Sequence, residues 1–420
     1  MLEYIAQQLT IIQKAIILLS IQIAFLQGGP SDFIAGSSAN ALLNLVGLET
    51  GILNEFGVTS GTLSVQSTTK RTGGYALRVN PVTTAVGVAH LGKSDNVGGP
   101  DALLSVATIY ARFYFRYATK PATNNEPIFA PYSTGNALKF ELRLNSSGNL
   151  VAYDSTGTLM ATGTTVLLAN TWYRIEVQVG SGATGSWEVK IDGTSEISGT
   201  GNLVVANHGR MQIGKSVDRN NNTVDFFYDD IAVSATNYIG AGQIEVMQAD
   251  GDGTYTDFTI GAGGGADWTN VDEIPSDDNT TYLVSTLSTS SAQTVTLESA
   301  SSASISGTIN AVKGHVNAMR DGASNGSYRV RIRSGTTDSD GNIASAPGSY
   351  DARHLILNTD PADSLDWTTS DLDALEVGAV EGEITDKTRI TQVAIMVDFV
   401  PSEGEAITPF IDYSQIIEEN

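Results

Sequence analysis

Short segments in which apolar and polar residues alternate recur along most of the chain, and this pattern constrains the fold more than any other feature. Residues 109–117 and 138–144 alternate in this way, and a Ser-Gly-Asn turn at 147–149 follows the second segment. A period of two places one set of side chains on a core and the other in solvent. The sequence therefore predicts a mainly-β protein, and the turn spacing predicts antiparallel, jelly-roll-like β-sandwiches.

Composition limits the chemistry that is available to the chain. Its 420 residues are enough for two or three domains, and only 16% of them are charged, against roughly 25% in typical globular domains. There is no cysteine, which excludes disulfides, thiolate nucleophiles and Cys-based metal sites. Zinc sites are nearly excluded as well, because the four histidines stand singly in the sequence, at His90, His208, His315 and His354.

Charge divides the chain near Gly240. Residues 1–240 carry 15 Lys and Arg against 17 Asp and Glu, whereas residues 241–420 carry 8 against 29. A shift of this size indicates a domain boundary, and the acidic half lacks the clustered cations that a nucleic acid needs. We therefore predict no nucleic-acid partner and the following segments: an oligomerisation helix at 1–29, a linker at 30–53, a β-sandwich at 54–240, an acidic β-sandwich at 241–400 and a tail at 401–420.

The first segment has the spacing of a coiled-coil helix. Apolar residues follow one another at intervals of three and four, an a/d seam made of Leu2, Ile5, Leu9, Ile12, Ile16, Leu19, Ile23 and Leu26. Gly28, Gly29 and Pro30 then end the helix. The uninterrupted apolar part, 15–26, is shorter than the roughly 20 residues of a membrane span. We predict self-association into a homo-oligomer and no membrane span.

Three segments of the middle domain share motifs with a known family. One strand begins with Trp172-Tyr173, a second ends in Asp192-Gly193, and a third contains Tyr228-Asp229-Asp230-Ile231. This series resembles the concanavalin A-like, laminin-G-like jelly-roll family. The resemblance implies the sandwich fold, and it leaves the activity open, because that family includes lectins and glycan-binding modules as well as polysaccharide hydrolases and lyases.

The acidic half resembles sandwich domains of phage virion proteins in the style of its sequence. The similarity rests on residues 249–273 and on Leu375-Glu376-Val377-Gly378. It implies a location in a virion or outside the cell, and other virion proteins as partners. Family precedent also favours a trimer for the homo-oligomer.

Two acidic segments of the form Asp-x-Asp-Gly are candidate calcium ligands. They contain Asp250 and Asp252, and Asp338 and Asp340. Neither continues to the bidentate Glu that closes an EF-hand loop. Turn formation accounts for both segments, with weak calcium binding as the alternative, and no other cofactor is expected.

Catalytic motifs are missing from the linear sequence. The paired carboxylates of the hydrolase branch, Glu-x-Asp-x-x-Glu, are absent; the nearest residues are Asp225, Asp229 and Asp230. A lyase needs a base such as Tyr, His or Lys beside a cation, and one strand face offers that combination. That face carries Tyr110, Arg112, Tyr114 and Arg116.

These observations favour a non-enzymatic structural protein of a phage particle, namely a head or tail fibre or a decoration protein, which assembles through its N-terminal helix. The alternative is a glycan-binding adhesin that recognises a host-surface polysaccharide. A polysaccharide lyase or hydrolase is the least favoured interpretation.

Overall fold

The computed structural model describes residues 41–91, 105–216, 222–288, 290–322, 326–382 and 386–402, which belong to one compact unit. The described residues are mainly β, with antiparallel strand pairing throughout, which confirms the predicted class. The predicted helix at 1–29 and residues 403–420 of the predicted tail lie outside the described residues. Within the described ranges no helix is long and apolar enough to cross a membrane.

The first sheet contains eight strands. They are β1 (Leu42–Val46), β3 (Leu63–Gln66), β4 (Ala76–Val79), β6 (Ile109–Thr119), β11 (Tyr173–Val179), β12 (Gly185–Ile191), β13 (Thr194–Gly201) and β15 (Asp225–Ser234). Their order is β13-β12-β11-β6-β15-β4-β3, and β1 pairs with the last residues of β15. Part of the segment that we expected to be a linker is thus a strand, because Leu42, Leu45 and Val46 are apolar and buried.

The second sheet packs face to face on the first. Its seven strands are β2 (Val58–Gly61), β5 (Gly87–Leu91), β7 (Asn125–Ser133), β8 (Phe140–Asn145), β9 (Leu150–Asp154), β10 (Leu159–Thr162) and β14 (His208–Lys215). They run in the order β10-β9-β8-β7-β14-β5-β2. Aromatic pairs join the two sheets: Phe113 stacks on Phe129 and Trp187 lies against Phe140, each pair with ring centroids 5.6 Å apart. Trp187 is therefore part of the core between the two sheets.

The remaining strands form an 11-stranded antiparallel sheet whose two halves pack on each other. They are β16 (Gln243–Thr256), β17 (Thr259–Ala262), β18 (Tyr282–Val284), β19 (Ala292–Leu297), β20 (Thr308–Arg320), β21 (Ser327–Ser334), β22 (Thr337–Asp340), β23 (Ala344–Ser345), β24 (Asp351–Leu357), β25 (Leu375–Glu381) and β26 (Thr388–Val400). The long strand β16 pairs with β26 at its start and with β19 at its end, so it joins both halves. One short helix, α1 (Thr369–Leu372), begins with a capping box of Thr368 and Asp371.

The two sandwiches share a buried junction on the outer face of the first sheet. A small apolar cluster there combines Leu45 of β1 with Ile244 of β16 and Met396 of β26. Arg112 of β6 forms an ion pair with Asp398 of β26, and both side chains are fully buried. The second sandwich therefore covers part of the outer face of the first sheet.

Candidate functional site

Alternation along the second sheet places polar side chains on its outer face. In β8, Phe140 and Leu142 belong to the core, so Glu141 and Arg143 point the other way. The same rule holds in the neighbouring strands. We call this outer surface the polar face; its side chains are those of His90, Tyr132, Glu141, Arg143, Tyr153, Arg210 and Gln212.

Strand register aligns these side chains across five neighbouring strands, β9-β8-β7-β14-β5. His90 lies opposite Gln212, Arg210 opposite Tyr132, and Glu141 opposite Tyr153. Four strand spacings of about 4.8 Å give the polar face a width of roughly 19 Å. It is wide enough for a polymer that lies across the strands.

His90 is fixed at both ring nitrogens. Arg210 Nη1 donates to His90 Nδ1 at 2.8 Å, and the side-chain amide of Gln212 lies 2.5 Å from His90 Nε2. A guanidinium can only donate, so Nδ1 is the unprotonated nitrogen and Nε2 carries the proton. That proton needs an acceptor. Gln212 Oε1 is buried and has no other hydrogen-bond partner, so it fits this role once the side-chain amide is flipped to exchange its O and N positions.

The environment of His90 keeps its ring neutral. Burial and, to a smaller extent, the positive charge of Arg210 together lower its pKa from 6.5 to about 4. His90 and Gln212 are both nearly buried, with 8% and 7% of their surface exposed. The polar face thus contains a neutral, oriented imidazole at neutral pH.

Arg210 connects this histidine to an aromatic ring. Its guanidinium lies over the ring of Tyr132, 4.5 Å from the centroid, and both side chains are half-buried. Cation–π contact with this ring helps to hold the guanidinium in place. Arg210 therefore stands between a neutral imidazole and a phenol.

A second cluster of the polar face surrounds Arg143. Its guanidinium forms an ion pair with Glu141 and lies 3.6 Å from the centre of the Tyr153 ring. Asn125 Nδ2 donates to the Tyr153 hydroxyl at 2.8 Å, and Asn125 Oδ1 accepts from Arg143 at 3.2 Å. Glu141 and Arg143 are buried, whereas Tyr153 and Asn125 are half-buried, so the latter two present polar groups to the surface.

The Tyr-Arg face predicted on β6 lies on the first sheet and is largely covered. Arg112 is sealed in the junction with Asp398, and the guanidinium of Arg71 lies 3.4 Å from the centre of the Tyr114 ring. Arg116 remains half-buried at the other end of the strand. This face therefore serves mainly to hold the second sandwich.

Asp229 and Asp230 do not lie on opposite faces of β15, where strict alternation would place them. A register shift in β15 between Asp229 and Ala232 buries both carboxylates, with Asp230 at a φ of 47°. Asp230 accepts from Arg71 at 2.5 Å, and burial together with the neighbouring Asp230 charge raises the pKa of Asp229 well above its usual range. Asp225 instead forms a bidentate pair with Arg78.

The four candidate calcium ligands lie on strands rather than in loops. Asp250 and Asp252 belong to β16, where they accept from the Thr296 hydroxyl at 3.0 Å and the Trp268 amide at 2.9 Å. Asp338 and Asp340 belong to β22, where Arg333 pairs with Asp338 at 2.5 Å and Arg331 pairs with Asp340 at 2.7 Å. Across the described ranges, no three His, Asp or Glu side chains converge as a metal site. The eight residues of the predicted oligomerisation seam lie outside the described residues.

No known protein family and no curated protein matches the sequence. Several solved structures are similar to part of this chain. An endo-β-1,4-glucuronan lyase from the fungus Trichoderma reesei is 12% identical, with 44% of this chain and 95% of that chain covered and a TM-score of 0.34. A carbohydrate esterase from the Shiga toxin-encoding bacteriophage phi24B is 16% identical, with coverages of 47% and 100% and a TM-score of 0.35. An alginate lyase is 13% identical, with coverages of 49% and 99% and a TM-score of 0.31.

These comparisons contradict the prediction that the chain is no enzyme, because the similar structures are carbohydrate-active enzymes. At TM-scores below 0.5 they assign no reaction and no site residue to this chain. That prediction rested on linear motifs, which do not reveal side chains that only strand pairing brings together. His90 and Gln212 are 122 residues apart in sequence, and only strand pairing brings them together.

Proposed function

We propose that the polar face binds an acidic polysaccharide and cleaves it by β-elimination at a uronate unit. The observation that carries this proposal is the neutral ring of His90, held between the guanidinium of Arg210 and the amide of Gln212. Such a reaction needs a cation for the uronate carboxylate and a base beside it. Arg210 and His90 supply both and already share a hydrogen bond.

Arg210 is the residue that binds the uronate carboxylate, because a guanidinium matches a carboxylate with two parallel hydrogen bonds. Neutralising that carboxylate makes the neighbouring C5–H bond more acidic. The base removes the C5 proton, the electron pair forms a C4=C5 double bond, and the C4–O bond breaks. Tyr132 gives a proton to the departing oxygen, which yields one unsaturated sugar and one new chain end.

Substrate binding prepares His90 to act as this base. In the free protein, the lone pair of Nδ1 accepts from Arg210. When Arg210 turns to the substrate carboxylate, that lone pair is released. The nearby negative charge then raises the pKa of His90 from about 4 toward the working pH, where a general base is most effective.

The Arg143 cluster is a neighbouring binding subsite in this proposal. The Tyr153 hydroxyl and the Asn125 amide are half-buried and can exchange hydrogen bonds with sugar hydroxyls. The cluster lies on β8 and β9, whereas His90 lies on β5, so a polymer would extend across the strands. Binding energy from such a subsite orients the uronate at Arg210.

The test is incubation of the full chain with uronate polymers (polyglucuronate, alginate and polygalacturonate) and with the neutral polymer laminarin. Ultraviolet absorbance of the unsaturated product and new reducing ends are measured. We expect product from a uronate polymer and none from laminarin. His90→Ala and Arg210→Ala should each reduce turnover by at least about 100-fold, the usual contribution of general acid–base catalysis.

Arg329→Ala is the matched control, because Arg329 lies on β21 of the second sandwich and pairs with Asp340. It should leave turnover unchanged. Binding of a uronate polymer without cleavage would reject β-elimination and favour the glycan-binding adhesin that the sequence offers as its alternative. Absence of both binding and cleavage would reject the polar face as a carbohydrate site.

The place of the chain in a phage particle remains part of the proposal and is supported by sequence alone. The a/d seam of residues 1–29 favours a homo-oligomer, with a trimer preferred, and the acidic sandwich favours a virion or extracellular setting. In this proposal the chain is a fibre or decoration protein, and its polar face acts on the host polysaccharide. Immunogold electron microscopy of purified particles tests the location.

A further inference from the structure

A separate cavity of about 330 Å³ lies on the outer face of the first sheet, on the other sheet from the polar face. Phe227 of β15 belongs to its lining, together with Arg78 of β4 and Arg116 of β6. Hydroxyl and amide groups of β3 and the following turn complete it, among them Gln66 and Thr69. This volume is at the lower end of the range for small-molecule sites, which suits one sugar unit.

The charged groups of this cavity leave an excess of positive charge. Arg78 makes two bonds to Asp225, at 2.8 and 3.0 Å, so these two charges compensate each other. Arg116 instead donates to the neutral amide oxygen of Asn170 at 2.7 Å, and within the described part of the chain it forms no ion pair. Burial lowers the pKa of Arg116, and the charge of Asp225 partly offsets this effect.

The walls of the cavity are held in place before any ligand arrives. Gln66 Oε1 accepts from the backbone amides of Thr68 and Thr69, at 2.9 and 2.8 Å, which fixes the turn after β3. The guanidinium groups of Arg78 and Arg116 both lie over the Phe227 ring, 5.7 and 5.1 Å from its centre. A preformed wall of this kind reduces the entropy lost on binding.

We infer that this cavity binds one acidic sugar unit, with Arg116 as the residue that receives its carboxylate or sulfate group. A guanidinium with one neutral partner retains several donors for an oxyanion, and the surrounding hydroxyl and amide groups suit sugar hydroxyls. The site does not depend on the cleavage proposed for the polar face. In a polysaccharide-binding protein, this cavity would hold a second part of the polymer and so raise the effective concentration of the polymer at the polar face.

The acidic second sandwich does not prevent this binding at physiological salt. It docks at Arg112, which precedes Arg116 by four residues on β6, a distance of roughly 13 Å along a strand. The Debye length at physiological ionic strength is about 8 Å, so repulsion between exposed charges at that distance is largely screened. Binding of the acidic sugar should therefore be measured at the physiological salt concentration of about 0.15 M.

The experiment is isothermal titration calorimetry of the full-length Arg210→Ala variant, which removes the anion-binding residue of the polar face. The probes are glucuronate, glucose 6-sulfate, methyl glucoside and inorganic sulfate. We expect at least one acidic sugar to bind, and methyl glucoside to bind at least about tenfold more weakly, the effect of one lost charge-assisted hydrogen bond. Adding Arg116→Gln should weaken acidic-sugar binding by about tenfold or more on the same basis.

A second variant protects the result against misfolding. Ser64→Tyr, added to Arg210→Ala, places a large side chain at the exposed edge of the cavity and leaves Arg116 intact. It too should weaken acidic-sugar binding, with an unchanged melting temperature. Undiminished binding in either double variant would overturn the inference, as would absence of acidic-sugar binding in Arg210→Ala. Equal affinity for inorganic sulfate would overturn the sugar assignment. If the chain binds acidic sugars in this cavity and yet cleaves no polymer, the cleavage proposed for the polar face is rejected and the cavity inference stands.

Discussion

The buried ion pair between Arg112 and Asp398 offers a quantitative test of how the two sandwiches are joined. Both side chains are fully buried, and Asp398 also accepts from Asn310 at 2.6 Å. Replacing Arg112 by Met leaves this carboxylate buried without its cation, which costs about 3–5 kcal/mol of unfolding free energy. For a domain of 150–250 residues that corresponds to a fall in melting temperature of about 6–20 °C.

Urea unfolding and calorimetry of a double-mutant cycle measure this cost. The combined variant Arg112→Met with Asp398→Leu should regain most of the lost stability, because it removes the buried charge together with its partner. Arg329→Met is the control, since its pair with Asp340 is partly exposed and should contribute less than about 1 kcal/mol. If Arg112→Met costs no more than this control, the pair does not join the sandwiches as described.

Three further predictions concern other parts of the molecule. Because the pKa of His90 is lowered from 6.5 to about 4, the unfolded chain binds more protons than the folded chain between these pH values. About 3 kcal/mol of unfolding free energy should therefore be lost as the pH falls from 6.5 to 4. A His90→Gln variant should lose correspondingly less, as measured by urea unfolding over this pH range. Deletion of residues 1–29 should give a monomer by light scattering; retention of the full oligomeric mass would reject the coiled-coil prediction. Calcium binding, measured by calorimetry, should be weak, with dissociation constants on the order of 10⁻⁴–10⁻³ M. The reason is that arginines already pair with the carboxylates of Asp338 and Asp340. A micromolar dissociation constant would contradict this expectation.

The strands of the first sandwich could be predicted because their residues alternate. Residues 109–117 fall within β6, and the segment that begins at Trp172-Tyr173 contains β11. In both cases the period of two reflects one buried and one outward face. By contrast, Asp250-Gly251-Asp252 has the composition of a turn and yet lies inside β16, because its pairing with β19 overrides that local preference.

The candidate site could not be assembled from the sequence, although each part of it carries a local signal. His90 stands between Ala89 and Leu91, which belong to the core, so alternation alone places His90 on an outer face. The pairing of β5 with β14 determines that Gln212 is its partner, and nothing within either strand specifies that pairing. Motif searches therefore missed a constellation that exists only after the sheet has formed.

Tyrosine and arginine occur on both outer faces of the first sandwich, and the docking of the second sandwich decides their roles. Tyr114 lies beneath Arg71, and the Tyr114 hydroxyl and the Arg71 guanidinium both contact the backbone of Gly242, which leads into the second sandwich. Tyr132 lies beneath Arg210 in a comparable contact, on a sheet that the junction does not use, and both remain half-buried. The same pair of residue types thus contributes to the junction on one sheet and stays half-buried at the surface of the other. Because this difference arises from the junction, the alternation of β6 alone could not distinguish a binding face from a docking face.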